Sequence, residues 1–242
     1  MIAKRMRVFA GPNGSGKTTI FKGILDENKI NLGVYVNADE IEETLKSNFK
    51  IDFANFQLQI SENQIAKFFE TSTFSPLKRK EPDLFTKIKV SHNILTTSAV
   101  VDSYLAADLA EFIRQQLLIN DISFTYETVM SHPNKIQFLK EAKSKGYRVY
   151  FYFIATEDPE INISRVNVRV AQKGHYVDPK TIENRYYKSL KNLKDALKES
   201  HRAYIFDNTH TSANLIAEIT DGENVVINSV IDTPSWVIDY IS

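Results

Sequence analysis

Cysteine is absent from the 242-residue sequence, which excludes disulfide bonds, cysteine-ligated metal sites and thiol nucleophiles. The sequence also lacks a net charge, because lysine and arginine together total 30 residues and aspartate and glutamate together also total 30. Zero net charge gives no indication of a nucleic-acid partner. A large polyanion such as duplex DNA is therefore not an expected partner, although a local basic patch could still form.

Long apolar stretches are also missing. No run approaches the roughly 18 residues that a membrane-spanning helix needs, so no membrane partner is expected. The first seven residues lead directly into a predicted strand, with no secretory hydrophobic region before it. Because 43% of the residues are hydrophobic, one substantial core can form. We expect a soluble cytoplasmic protein made of a single domain, residues 1–242.

A phosphate-binding motif is present near the N-terminus. Residues 11–18 satisfy the pattern G-x-x-x-x-G-K-[ST], with a predicted strand before them and a predicted helix after them. Lys17 would contact the β- and γ-phosphates of ATP, and the Thr18 hydroxyl would bind Mg²⁺. The residues predicted to bind the nucleotide are Gly11, Pro12, Asn13, Gly14, Ser15, Gly16, Lys17, Thr18 and Thr19.

Three acidic residues follow the predicted second, third and fifth strands. They are Asp39, Glu127 and Asp207. Ligands of open α/β sheets bind at the carboxyl ends of the strands. Asp39 is therefore a candidate substrate contact or, alternatively, the N-cap of the next helix. Glu127 either binds a ligand or pairs with a neighbouring cation, and Asp207 could hold Mg²⁺ through water.

A basic face is predicted on the helix at 160–170. Arg165, Arg169 and Lys173 are spaced by four residues, which places them on one helix face. The positive charge of such a row is balanced either by a bound anion or by solvent and nearby acidic side chains. With a phosphate loop in the same chain, we interpret the arginines as groups that stabilise a transferring phosphoryl group.

The segment that follows this helix is typical of a lid. It contains Gly174 and His175, and His175 is a candidate substrate contact. A long helix is predicted at 180–198. On it, Arg185 either faces the site or pairs with Glu183 or other acids.

Residues 48–102 do not follow the strand–helix alternation. We predict that they form an insertion subdomain near the acceptor site. The basic cluster Lys78–Lys80 is expected in a solvated loop, with a contact to a substrate phosphate as the alternative. At the other end of the chain, Asp221–Asn224 is a turn signal that could join two short apolar runs as a hairpin.

The whole pattern predicts an α/β fold, because five short buried strands alternate with helices and the phosphate loop follows the first. We expect a P-loop kinase-like three-layer fold. Its features are a five-stranded, mainly parallel sheet, an insertion after the second strand and a candidate C-terminal β-hairpin.

Two reaction types fit this arrangement. An acid after the second strand and arginines after the fourth favour phosphoryl transfer to a hydroxyl, with Asp39 taking the proton. The alternative is an ATP-hydrolysing or nucleotide-sensing module, in which Asp207 would be the acid that holds the metal.

The ordered motifs resemble the zeta-toxin-like P-loop kinases, in the branch described as predicted ATPases. The motifs are residues 9–19, 37–41, 124–128 and 206–209, together with the arginine helix and Gly174–His175. The resemblance covers most of residues 6–210. It implies an ATP-dependent kinase, with Asp39 as catalytic base, Glu127 as a substrate-side acid, and Arg165 and Arg169 as phosphate-stabilising arginines.

The better-known zeta toxins phosphorylate the sugar 3′-hydroxyl of UDP-N-acetylglucosamine and are held inactive by a small antitoxin. The resemblance therefore implies a small-molecule acceptor, with that nucleotide-sugar as a candidate, and an antitoxin-like protein partner. A further alternative is a toxin-like protein that acts through a partner, with residues 48–102 as its docking surface. Two departures concern the acceptor side. The insertion at 48–102 lies where the acceptor should bind. In addition, Gly174–His175 stands in place of the lid pattern that is found in the toxins whose substrate is known.

Overall fold

The computed structural model describes residues 3–28, 32–71, 84–172, 174, 176–228 and 232–241. The chain divides into two compact units. One consists of Met1–Leu32 with Thr125–Ser242, and the other of Gly33–Phe124. Among the helices in the described ranges, none combines the length and the hydrophobicity that a membrane span requires.

The strands and helices are numbered along the chain. The strands are β1 (Arg5–Ala10), β2 (Val34–Val36), β3 (Lys50–Asp52), β4 (Ile88–Ser91), β5 (Ile94–Thr97), β6 (Phe124–Thr128), β7 (Arg148–Ala155), β8 (Arg202–Asp207), β9 (Asn214–Thr220) and β10 (Asn224–Ile227). The helices are α1 (Lys17–Asn28), α2 (Ala38–Asn48), α3 (Glu62–Thr71), α4 (Leu84–Lys87), α5 (Ser103–Ile119), α6 (Asn134–Ser144), α7 (Pro159–Ala171), α8 (Pro179–Lys191), α9 (Leu193–Lys198) and α10 (Ser235–Ile241).

The main sheet has seven strands in the order β10-β9-β8-β7-β1-β6-β2. β1, β7 and β8 pair in parallel, and β8, β9 and β10 pair antiparallel. The predicted α/β fold with a mostly parallel sheet is therefore confirmed. The sheet has seven strands rather than five because the C-terminal hairpin, predicted as a separate feature, joins the sheet through β8.

Asp side chains fix the starts of the helices that follow β7. The carboxylates of Asp158 and Asp178 accept hydrogen bonds from the backbone N–H groups of Glu160 and Thr181. A proline follows each cap, and its fixed φ and missing N–H suit the first helical turn. The predicted long helix at 180–198 is in fact two helices, α8 and α9, with Asn192 between them.

The unit Gly33–Phe124 has a sheet of its own, with strand order β3-β5-β4 and antiparallel pairing throughout. The sequence of residues 85–101 fits either two strands or a strand followed by a helix, and the structure has two strands, β4 and β5, which form a hairpin. The apolar spacing of residues 104–120 predicts an amphipathic helix, and the apolar face of α5 is buried. That residues 48–102 border an acceptor site stays a prediction, and Lys78–Lys80 lie outside the described residues.

Candidate functional site

The phosphate loop connects β1 to the N-terminus of α1, where backbone N–H groups and the helix dipole favour an anion. All three of its glycines have positive φ, and the values are +77° at Gly14 and +91° at Gly16. A Cβ at Gly14 would lie 2.5 Å from the carbonyl oxygen of Asn162, and one at Gly16 would lie 2.2 Å from Asn208 Nδ2. Conformation and space therefore both require glycine at these positions.

Two asparagines hold the loop in this shape. Asn162 Nδ2 donates to the carbonyl oxygen of Asn13 at 2.8 Å, and Asn208 Nδ2 donates to that of Ser15 at 2.8 Å. Asn162 lies on α7, is fully buried, and accepts a hydrogen bond from Thr156 Oγ1 on its other amide atom. Sequence reasoning did not single out Asn162. The only signal was an amide in the half of α7 that packs into the core.

The polar side chains inside the loop suit a phosphate. Lys17 Nζ donates to the carbonyl oxygens of Gly11 at 3.0 Å and Pro12 at 2.8 Å, so its ammonium group lies across the loop. Ser15 Oγ is buried and forms no hydrogen bond within the described residues. Because buried hydroxyl groups normally have a partner, this one favours a bound group inside the loop.

Thr18 and Glu127 lie side by side. The Thr18 hydroxyl donates to Glu127 Oε2 at 2.8 Å, and Glu127 is near the end of β6, the neighbour of β1 in the sheet. A hydroxyl and a carboxylate are hard oxygen ligands of the kind that Mg²⁺ takes. Within the described ranges no cluster of three acidic or histidine side chains forms. The pair therefore suits an ion that is otherwise coordinated by water and phosphate oxygens.

Arg165 on α7 is bound to the loop after β8. Its guanidinium donates to the carbonyl oxygens of Asn208 at 2.7 Å, Thr209 at 3.3 Å and His210 at 3.2 Å. This arrangement forms one wall of an open cavity of about 700 Å³ beside the phosphate loop. The lining residues are Gly16, Thr19, Arg165, Asn208, Thr209, His210 and Thr211.

The other predicted cations lie in different places. Arg169 is exposed, and its carbonyl oxygen accepts a hydrogen bond from the Gly174 N–H at 2.9 Å. Helix α7 ends at Ala171, so the predicted row keeps two arginines on the helix, while Lys173 and His175 lie outside the described residues. Arg185 on α8 faces the phosphate loop.

The contact of Arg185 resolves the two alternatives that the sequence left open. Its Nη1 donates to Asn13 Oδ1 at 3.3 Å. Within the part of the chain that the structure describes, it forms no ion pair with Glu183, whose side chain is exposed. The next residue, Tyr186, is buried and donates from its hydroxyl to the Thr156 carbonyl oxygen at 2.6 Å, and burial raises the pKa of Tyr186.

Asp39 belongs to the other unit, Gly33–Phe124. It is the second residue of α2, and its side chain is exposed. The helix is capped by Asn37, whose side chain accepts a hydrogen bond from the Asp39 N–H at 2.9 Å. The alternative interpretation of Asp39 as the N-cap is therefore wrong. Its carboxylate is not used to start the helix.

Comparison with known proteins gives a family match over more than half of the chain. The model of a family described as zeta toxin matches residues 89–229. An uncharacterized protein of Haemophilus influenzae is 34% identical over 65 residues, which are 27% of this chain and 46% of that protein. The matched region thus spans about half the length of that relative.

Two kinds of solved structure share the fold at low sequence identity. One, from the characterization of the PezAT chromosomal toxin–antitoxin system of Streptococcus pneumoniae, has a TM-score of 0.51 at 15% identity and covers 98% of this chain and 77% of that chain. A crystal structure of AvrRxo1-ORF1:AvrRxo1-ORF2 with sulphate ions has a TM-score of 0.52 at 12% identity, covering 93% and 61%. The AvrRxo1-ORF1:-ORF2 structure with ATP has a TM-score of 0.51 at 11% identity, covering 94% and 61%.

Proposed function

Because the chain belongs to the zeta toxin family, we propose that it is a P-loop phosphotransferase, a kinase that moves the γ-phosphoryl group of ATP to a hydroxyl of a small molecule. The observation that carries this proposal is the phosphate loop at the N-terminus of α1, with Lys17 across it and Thr18 beside Glu127. The ATP in an AvrRxo1-ORF1:-ORF2 structure of the same fold supports ATP as the donor.

The proposal assigns separate groups to the phosphates, the nucleoside and the metal ion. Lys17 and the loop N–H groups hold the β- and γ-phosphates, and the cavity beside Gly16 and Arg165 takes the nucleoside part of ATP. Thr18 and Glu127 would hold Mg²⁺, which neutralises phosphate charge when bound. The hydrogen bond between them favours this role for Glu127 over the substrate-side role that the resemblance implies.

Asp39 is the proposed general base, and it accepts the proton of the acceptor hydroxyl. Arg165 and Arg169 stabilise charge on the transferring group, and His175 contacts the acceptor; these three roles come from the sequence. UDP-N-acetylglucosamine is the first acceptor to test. An antitoxin-like protein is the proposed partner, supported by the toxin–antitoxin system in which a protein of the same fold was characterized.

The ATP-hydrolysing alternative depends on a metal at Asp207. That carboxylate is buried and accepts hydrogen bonds from Thr209 and Trp236. Its oxygens are thus used to support the loop after β8, which favours transfer over the alternative.

The test incubates the protein with γ-labelled ATP and either UDP-N-acetylglucosamine or a metabolite extract. We expect one labelled product. Asp39→Asn should lower transfer by about 100-fold or more and leave ATP binding unchanged, because general bases contribute about that much. Glu43→Gln, an exposed acid on the same helix, is the matched control. Full transfer by Asp39→Asn would remove Asp39 from the mechanism, and turnover that needs no acceptor would support the hydrolysing alternative.

A further inference from the structure

Helix α8 is anchored on both sides of the phosphate loop. Tyr186 donates to the carbonyl oxygen of Thr156, just beyond β7, at 2.6 Å. Ser189 donates to the carbonyl oxygen of Val129, just beyond β6, at 3.2 Å, and Asn192, the residue that ends the helix, donates to that of Met130 at 2.9 Å. In the sheet, β7 and β6 are the two neighbours of β1. The helix is therefore fixed at the edge of the sheet where the loop leaves β1.

Arg185 projects from this fixed helix to the loop. It directly precedes Tyr186, and its Nη1 reaches Asn13 Oδ1 at 3.3 Å. That acceptor is a neutral amide at the long end of the hydrogen-bond range, so the interaction is a weak one for a guanidinium. Within the described ranges, no carboxylate pairs with Arg185. Its charge is thus directed at a loop whose backbone is shaped to surround a phosphate.

Arg165 is engaged quite differently. Its guanidinium is held by three backbone carbonyl oxygens of residues 208–210, so it would have to give up three hydrogen bonds to move onto a phosphate. Arg185 would exchange one weak bond for a charge-assisted contact, and a bidentate contact suits its planar donors. Of the two arginines with contacts at this site, Arg185 is the one with a charge ready for the nucleotide.

We propose that Arg185 contacts the γ-phosphoryl group of the bound nucleotide and stabilises it during transfer. The inference rests on the proposed function. In the step, the bond between the γ-phosphorus and the β,γ-bridging oxygen breaks, and ADP leaves with the electron pair. A bond forms from the acceptor oxygen to the same phosphorus, and the acceptor proton passes to Asp39. Arg185 neutralises charge on the phosphoryl oxygens throughout, and Asn13 holds its side chain until ATP is bound.

The experiment compares ATP and ADP binding, because only ATP carries the group that Arg185 is proposed to contact. Titration calorimetry of the full chain with each nucleotide and Mg²⁺ is run on the unsubstituted protein, Arg185→Ala, Arg185→Lys and Lys188→Ala. Lys188 is an exposed cation on the same helix and serves as the control. We expect Arg185→Ala to weaken ATP binding about 10-fold or more and to change ADP binding less than about 2-fold.

Turnover gives the second readout. Arg185→Ala should slow the loss of label from γ-labelled ATP by about 1,000-fold, the lower end for an arginine that stabilises a transferring phosphoryl group. Arg185→Lys should restore part of the ATP affinity through its charge, but little of the rate, because an ammonium lacks the planar donor pair. Lys188→Ala should match the unsubstituted protein in both measurements.

Each other result overturns the inference. Equal losses of ATP and ADP affinity would show that Arg185 only supports the loop, and unchanged ATP affinity would show that it does not reach the phosphate. If the unsubstituted protein transfers no phosphoryl group, the proposed function fails. The comparison of ATP binding with ADP binding would still show whether Arg185 contacts the γ-phosphoryl group. Near-ultraviolet circular dichroism, which reports on Trp236, confirms that each variant is folded before it is scored.

Discussion

The indole nitrogen of Trp236 donates a hydrogen bond to Asp207 Oδ1 at 3.0 Å. Both residues are buried, Trp236 on α10 and Asp207 at the end of β8. The same carboxylate accepts hydrogen bonds from the amide and the hydroxyl of Thr209. Since the Thr209 carbonyl oxygen in turn accepts from Arg165, one buried carboxylate links the C-terminal helix to the wall of the cavity.

Asp207→Ala should lower the free energy of unfolding by at least about 2 kcal/mol. The change leaves the Trp236 indole and the Thr209 groups without their acceptor, and each buried unsatisfied donor costs about 1–3 kcal/mol. Urea denaturation followed by the fluorescence of Trp236, the only tryptophan, measures the loss. Asp239→Ala, at an exposed position of α10, should stay within about 0.5 kcal/mol. Equal effects of the two changes would contradict a structural role for Asp207.

Substitution by alanine should impair the protein at Gly14 and stabilise it at Gly23. At Gly14 a Cβ would lie 2.5 Å from a backbone oxygen and φ is +77°, so Gly14→Ala should distort the loop and abolish measurable ATP binding. At Gly23, inside α1, a Cβ meets nothing within 4 Å. Gly23→Ala should therefore raise the free energy of unfolding by about 0.5–1 kcal/mol. Thermal unfolding and nucleotide titration test both, and normal ATP binding by Gly14→Ala would refute the argument.

The parts of the fold set by local sequence were predictable. The phosphate loop with its flanking strand and helix, the apolar face of α5 and the hairpin turn at Asp221–Asn224 each follow from a short pattern. The joining of the hairpin to β8 did not follow, because residues 208–213, which connect β8 to β9, carry no tight-turn pattern that would mark the two strands as a pair. The break at Asn192 was missed because the apolar periodicity runs on across it.

The site shows the same division. The motif identifies the residues of the phosphate loop itself, whereas the side chains that hold the loop come from elsewhere in the chain. Asn162 contacts Asn13 across 149 positions, and Arg185 contacts it across 172. Asn162 has no distinctive pattern in its helix, and the sequence left open whether Arg185 faces the site, so the folded chain is needed to relate both residues to the loop. A four-residue spacing likewise placed Arg165 and Arg169 on one helix but could not reveal that backbone carbonyl oxygens hold Arg165.

Asn162→Asp should impair the phosphate loop although the side chain keeps its shape. The amide nitrogen that donates to the Asn13 carbonyl oxygen is replaced by an acceptor, so two oxygens would face each other at about hydrogen-bond distance. The new charge is also fully buried, which is costly. We expect a loss of about 2–4 kcal/mol in the free energy of unfolding and at least 10-fold weaker ATP binding.

Asn167→Asp is the matched control, because Asn167 is exposed on the same helix. It introduces the same charge into α7 and should change neither quantity measurably. If both variants weaken ATP binding to the same extent, the effect comes from the charge of the helix, and Asn162 does not position the loop.

Tyr152 should make the stability fall at high pH. Its ring stacks between Phe9, at a centroid distance of 4.4 Å, and Tyr204, at 5.0 Å. Burial, together with the neighbouring Tyr204, raises the pKa of Tyr152 from 10.0 to about 12. The folded state therefore keeps a proton that the unfolded state releases above about pH 10. The corresponding stabilisation is fully present below that pH and is lost as the pH rises through about 12.

Tyr152→Phe should make the pH dependence shallower. The substitution keeps the stacked ring and removes the titrating hydroxyl, so the fall in unfolding free energy between about pH 9 and about pH 12 should shrink by about 2–3 kcal/mol. Urea denaturation at a series of pH values measures the free energy of unfolding. The two proteins are compared by the slope of this free energy against pH, because the substitution also removes the interaction of the hydroxyl with Arg7. Tyr176→Phe removes the hydroxyl of a tyrosine that is 59% exposed and should leave the slope unchanged. Identical slopes for Tyr152→Phe and the unsubstituted protein would show that another buried group, such as Tyr186 or Tyr204, controls the alkaline limb.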